Sequence, residues 1–168
     1  MTTFKLRSAV ETLLWSETYS APEGTPPATF RGEAVNDGDA LDSFMLETDI
    51  TQEVARKLYD DLEGFDDYCI DTLGFSPYLE FDVGQVSHDF VLSRNGHGAG
   101  FFDGDYTLRP DEMDDETRAL LKKAGATFDA EGACDVSKVL QAAAKTFGAF
   151  NLMVWFDESG TLCMEATS

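Results

Sequence analysis

The chain has 168 residues, 43% of them hydrophobic and 12% aromatic, and it carries 32 acidic against 12 basic residues, a formal net charge of −20. So much apolar and aromatic material supports a buried core and excludes wholesale disorder. The charge excludes direct binding to nucleic-acid phosphates or anionic lipid, and it leaves two uses for the acids: solubility, including a halophilic habit, or complementarity to a basic surface.

In chain order, residues 5–18 set Leu6, Val10, Leu13 and Leu14 at helical spacing and predict a short amphipathic helix. Residues 20–43, with Pro22, Gly24, Pro26, Pro27, Gly32 and Asn36-Asp37-Gly38-Asp39, read as a long loop with a short extended piece around Phe30. The clearest helix spans 50–73: Ile50, Val54, Leu58, Leu62, Phe65, Cys69 and Leu73 recur every three or four residues, with a break at Gly64 as the alternative. Residues 75–87 look irregular. The run 88–103 then predicts a β-hairpin, because Asn95-Gly96 separates two stretches rich in β-branched and aromatic residues.

Pro110, Asp111 and Glu112 open a helix over 111–124 that Lys122, Lys123 and Gly125 close, and Asp135 caps another over 135–147. A second hairpin closes the chain over 151–165. The expected fold is an α+β single domain over 1–168, its antiparallel sheet built from the two hairpins and covered by about four helices. Phe90, Leu92, Phe101, Leu152, Val154 and Phe156 are expected to face inward.

Cys69, Cys134 and Cys163 are widely spaced and form no C-x-x-C pair, which predicts reduced thiols in the cytoplasm. Glu11 and polar residues interrupt any apolar core of a signal peptide, and no apolar stretch is long enough for a membrane span.

No enzyme motif emerges. In Asn95-Gly96-His97-Gly98-Ala99-Gly100 the spacing fits no phosphate loop, so Asn95, Gly96, Gly98 and Gly100 read as a structural turn needing positive φ. An alternative is a small ligand or enzyme site on Arg94, His97 and Asp103, with His88 and Asp89 beside it. Asp103-Gly104-Asp105 begins like a calcium loop, but Leu108 stands where glycine is required. The expectation is no cofactor and no metal.

One acidic stripe stands out along 50–73. Glu53, Asp60, Asp67 and Asp71 share a face with Lys57 and Gly64, flanked by Asp61, Glu63 and Asp66. Its ordinary reading is a solvated helix face. Its functional reading is a carboxylate row that, with Asp111, Asp114 and Asp115, occupies a Lys/Arg groove made for nucleic acid. The candidate partner-binding residues are therefore Glu53, Asp60, Glu63, Asp67, Asp71, Asp111, Asp114 and Asp115.

The segment from Asp89 to Asp103, DFVLSRNGHGAGFFD, resembles a motif of the form DFxLTRNGHGAGFWD found in small proteins of bacteriophages and related mobile elements. Ser93 and Phe102 replace its Thr and Trp. The ending from Ala143 to Gly148, followed by Asn151-Leu152 and a turn with Asp157 and Gly160, is similar to that group as well. The resemblance covers the chain from His88 onward; it implies a phage or mobile-element origin and brings no activity with it. Charge and resemblance together lead to an expected function: an acidic inhibitor of a basic, nucleic-acid-binding host defence protein of restriction or CRISPR type, acting in the host cytoplasm by nucleic-acid mimicry. The rivals are the ligand site above and an accessory protein whose charge serves only solubility.

Overall fold

A computed structural model describes residues 2–16, 29–30, 33–34, 52–156 and 162–167. Helix α1 (Thr2–Ser16) buries Ala9, Val10 and Leu13. Strands β1 (Thr29–Phe30) and β2 (Glu33–Ala34) pair antiparallel, which supplies the extended piece expected around Phe30; the rest of the 20–43 loop lies outside the described residues.

Helix α2 (Gln52–Leu73) buries Val54, Leu58, Leu62, Phe65, Cys69 and Leu73, the stripe that the spacing predicts. It runs unbroken through Gly64. A Cβ there would stand 3.3 Å from the Phe147 ring, so the glycine lets that ring approach the helix and its contact offsets the roughly 1 kcal/mol helix penalty.

The hairpin expected over 88–103 is a helix instead. After the single turn of α3 (Pro77–Glu80), helix α4 (Val83–Asn95) starts on Asp82, whose side chain accepts from the Gln85 N–H at 2.8 Å. It ends at Gly96, φ +74°, where the His97 N–H reaches back to the Leu92 carbonyl at 2.9 Å. That is a left-handed helix cap. A 3₁₀ turn, Gly100–Phe102, follows.

Two physical facts explain the difference. Val86, Ser87 and every residue from Asp89 to Arg94 are buried, because α4 packs against α1, the 3₁₀ turn and α6 (Ser137–Lys145). A helix enclosed on all sides shows no polar stripe, and its apolar run resembles a buried strand. Asn-Gly serves a helix C-terminus as well as a hairpin. The inward placement of Phe90, Leu92 and Phe101 holds, while the side chains of Leu152, Val154 and Phe156 lie outside the described residues.

The helix expected over 111–124 is split. Pro110–Glu112 form a 3₁₀ turn, Met113 is extended, and α5 (Asp115–Ala124) begins where the Asp114 side chain accepts from the Thr117 N–H at 2.7 Å. A small antiparallel sheet was not foreseen: β5 (Cys134–Asp135) lies between β3 (Thr107–Leu108) and β4 (Thr127–Phe128). Asp135 therefore sits in a strand, yet its side chain still accepts from the Ser137 N–H at 2.9 Å. Strands β6 (Asn151–Phe156) and β7 (Leu162–Thr167) pair antiparallel, in register from Asn151↔Thr167 to Phe156↔Leu162, and the turn expected between them lies outside the described residues.

The described residues are thus α+β and mostly helical. Their aromatic core joins α2, α4 and the 3₁₀ turn: Phe65 lies 4.7 Å from Phe90 and 5.7 Å from Phe101, ring centre to ring centre. No helix among the described residues is long and apolar enough to cross a membrane.

Candidate functional site: the acidic face of α2 and its seam with α5

The core stripe of α2 sets the direction of everything else on that helix. With Val54, Leu58, Leu62, Phe65, Cys69 and Leu73 buried, the 3.6-residue repeat turns Glu53, Asp60, Asp67 and Asp71 to the opposite side, and all four are exposed. Among the described residues no ion pair or hydrogen bond engages their side chains.

The other acids of α2 are tied down. Asp61 accepts from the buried Arg94 guanidinium at 2.8 Å, and Asp66 accepts from the Ser76 hydroxyl at 2.6 Å. Glu63, expected in the row, is half-buried and accepts from Lys5 Nζ at 2.8 Å, fastening α1 to α2. The same Lys5 ammonium sits 3.8 Å above the Tyr78 ring. Lys57, the base within the row, holds its ammonium 5.5 Å from the Phe150 ring centre, towards one edge of the face.

Asp111, Asp114 and Asp115 are exposed at the start of α5. The Thr117 backbone N–H holds the Asp114 carboxyl below its ordinary pKa, so it stays ionised. The Thr117 hydroxyl donates to the Gly74 carbonyl at 2.9 Å and locks the start of α5 to the end of α2. That crossing brings Asp71 and Asp114 together, with Glu116, around a hollow of about 350 Å³. A second hollow of about 360 Å³, lined by Tyr68, Thr72, Leu73, Ala124 and the base Lys123, shares Asp71 and Leu120 with the first. Asp111 and Asp115 do not line either one. Glu116, Tyr68 and Ile70 are members that sequence reasoning missed. The available signal was that Tyr68 and Ile70 are apolar residues lying off the core stripe of α2.

The glycine segment takes left-handed backbone at its glycines. Gly98 and Gly100 have φ of +56° and +52°, and a Cβ on Gly100 would collide with the Ser93 hydroxyl and the Gln141 side chain. The same two groups accept from the Phe101 N–H, at 3.3 and 3.2 Å. Arg94 is buried with its donors engaged: Nε to the Gly148 carbonyl at 2.8 Å, one terminal nitrogen to Phe147 at 3.0 Å and the other to Asp61. Burial lowers its pKa and Asp61 opposes that shift.

His97 and Asp103, the other members of the alternative ligand site, are exposed. Asp89 is buried and accepts from the Tyr106 hydroxyl at 2.5 Å and from Gln85 at 3.0 Å; His88 Nδ1 lies 2.8 Å from the Thr12 hydroxyl. Burial also pushes up both described thiols, Cys134 to about 11, which leaves them protonated and unreactive. Among the described residues, no three His, Cys, Asp or Glu side chains lie where they could hold one metal ion.

Neither a family model nor a curated protein nor a solved structure matches this chain.

Proposed function

We propose that this is a phage or mobile-element protein that acts by binding, and that it inhibits a basic, nucleic-acid-binding host defence protein of restriction or CRISPR type. Its acidic face occupies the groove that would otherwise take DNA or RNA. The observation that carries the reading is the exposure of Glu53, Asp60, Asp67 and Asp71 on one side of a single unbroken helix, in a chain of net charge −20. At about 1.5 Å rise per residue, successive carboxylates in that row stand roughly 10, 10 and 6 Å apart. Phosphates on one DNA strand recur about every 3.4 Å along the axis. The row therefore repeats at close to three and two phosphate steps, and basic side chains spaced for a phosphate backbone meet carboxylates in a similar array.

The origin rests on the resemblance of Asp89–Asp103 to the phage motif, and the defence-protein target follows from origin and charge together. The ligand-site reading is the weaker one, since Arg94 is buried against Asp61 and two backbone carbonyls.

The test is capture from bacterial lysate on the immobilised protein at low and high salt. The expected catch is a nucleic-acid-binding protein that elutes with salt and is displaced by its own DNA or RNA. Retention of proteins without nucleic-acid affinity, indifferent to salt, would sink the proposal.

A further inference from the structure

We propose that Asn95 is a gated deamidation site. The closed fold protects its side-chain amide, and opening of the 147–150 junction exposes it to a one-way conversion, to aspartate or isoaspartate, that keeps the junction from closing again. This is independent of the binding reading above.

Asn95-Gly96 is the one Asn-Gly pair in the chain, since Asn36 precedes Asp37 and Asn151 precedes Leu152. Such a pair is labile for a steric reason: with no Cβ on the following residue, its backbone nitrogen reaches the asparagine Cγ unhindered. Once that nitrogen has lost its proton it attacks Cγ. The Cγ–Nδ2 bond breaks, the side-chain nitrogen leaves as ammonia, and a cyclic succinimide forms. Water then opens the ring at either carbonyl, giving aspartate or, with the main chain rerouted through Cγ, isoaspartate. One water enters and one ammonia leaves, with no cofactor or oxidant.

The fold withholds both reactants. The nucleophile, Gly96 N, is tied into the left-handed cap of α4, its N–H directed at the Leu92 and Ser93 carbonyls. The electrophile is gripped at both ends: Nδ2 donates to the Phe150 carbonyl at 2.9 Å, and Oδ1 accepts from the Phe150 N–H at 2.7 Å. Swinging the amide towards Gly96 breaks both bonds and strands the backbone of a fully buried residue. Arg94 reinforces the lock from the position before, donating to the Phe147 carbonyl at 3.0 Å and the Gly148 carbonyl at 2.8 Å. Gly96 itself is exposed, with nothing within 4 Å of where a Cβ would stand. Hydrogen bonding, and not exclusion of water, therefore holds the reaction back.

The product bars reversal. A carboxylate has no hydrogen to donate, so one of its oxygens would face the Phe150 carbonyl oxygen and repel it. Isoaspartate also inserts a methylene into the main chain at the end of α4 and displaces the cap.

The test follows deamidation of the intact protein in mildly alkaline buffer by peptide mass spectrometry, without urea and above the unfolding transition. The unfolded chain is expected to react as fast as acetyl-Leu-Ser-Arg-Asn-Gly-His-Gly-amide. The folded protein is expected to react more slowly by on the order of tenfold or more, because reaction waits on local opening. Arg94→Lys leaves Asn95 and Gly96 in place but loses the fork on residues 147 and 148, and it is expected to react several-fold faster than wild type while still folded by circular dichroism. Wild type deamidated while unfolded, isolated by its extra negative charge and returned to native buffer, is expected to unfold at lower urea than the intact protein or not to refold.

A folded protein that reacts as fast as the peptide would overturn the gate, and an unfolded chain that stays intact at Asn95 would overturn the site. A folded Arg94→Lys variant with the wild-type rate would place the protection in the α4 cap and overturn the junction as its source. Deamidated protein as stable as the intact one would overturn the one-way loss.

Discussion

The Asn95 side chain holds the Phe150 backbone by both of its polar groups: its amide nitrogen donates to the Phe150 carbonyl at 2.9 Å, and its oxygen accepts from the Phe150 N–H at 2.7 Å. The last residue of α4 thus does for the entry to β6 what a neighbouring strand would do. Phe150 is fully buried, so either group left without its partner stays unsatisfied away from water. Asn95→Ala is expected to cost about 2 kcal/mol in urea unfolding, with capture of the partner by the folded protein unchanged. A loss of well under 1 kcal/mol would show that water replaces the clamp.

Gly98 and Gly100 share a left-handed backbone but differ in surroundings, which separates two kinds of cost. At Gly98 the nearest atom to a new Cβ would be Leu92 Cδ1 at 3.8 Å, an ordinary contact. Gly98→Ala is therefore expected to cost only the conformational strain, about 1–2 kcal/mol. Gly100→Ala adds the collision with Ser93 and Gln141 and is expected to cost on the order of 3–5 kcal/mol or to abolish folding. Equal losses at the two sites, measured by thermal and urea unfolding, would contradict the structure.

Burial raises the pKa of Asp89, against the opposing hydrogen bonds from Tyr106 and Gln85 and the nearby charge of His88, while Asp103 adds to the rise. The folded state then binds the Asp89 proton more tightly than the unfolded state does. Its stabilising contribution is full below the ordinary carboxyl pKa and is lost as pH rises through the raised folded value. Asp89→Asn keeps the shape and an acceptor for Tyr106 without the titration. Wild type is expected to gain stability relative to Asp89→Asn on acidification from neutral pH towards about pH 4, whereas parallel urea midpoints across that range would contradict a raised pKa.

Tyr78 presents the opposite case. Its ring is buried under the Lys5 ammonium, and its hydroxyl has no partner of good hydrogen-bond geometry among the described residues; the Ser87 hydroxyl lies close enough to oppose the rise that burial gives its pKa, but donates to the Val83 carbonyl. Tyr78→Phe keeps the ring under the cation and removes an unpaired polar atom. Stability is expected to stay level or rise by about 1 kcal/mol; a clear loss in thermal unfolding would reveal a partner for the hydroxyl.

Charge reversal tests the outer face directly. Lysine at Glu53, Asp60 and Asp67 is expected to abolish capture of the basic partner and to leave the fold intact or slightly more stable, as self-repulsion falls. Glu63 is unsuitable for that set, because reversing it would place two cations together at Lys5. The control is lysine at Glu80, Asp105 and Glu131, exposed residues outside α2. Equal losses from both sets would mean that the surplus charge acts as a whole and not as a row.

The α2 stripe and its opposing acids, helices α1 and α6, and the closing β6–β7 pair follow from local chemistry alone. Each has one face towards the core and one away, or a turn between two apolar runs, and such asymmetry is written into residue spacing. The positive φ of Gly98 and Gly100 was legible for the same local reason. Helix α4 was not. Its apolar and small polar residues meet α1 on one side and α6 on another, so its spacing carries no contrast between inside and outside, and its Asn-Gly end suits two structures equally. The small β3–β5–β4 sheet consists of two-residue strands whose pairing depends on where α5 and α6 come to rest.

The candidate site divides along the same line. That α2 shows a row of carboxylates is written in its spacing, because burying six residues at helical spacing leaves the opposite face to whatever lies there. Which acids remain open depends on packing: Glu63, Asp61 and Asp66 are taken by Lys5, Arg94 and Ser76, residues distant in the chain or across a turn. Packing also sets Asp71 around one hollow with Asp114 and Glu116, since that juxtaposition depends on Thr117 locking α5 against Gly74. Periodicity describes one helix against an unseen core; the meeting of two helices is set by packing between residues far apart in the chain.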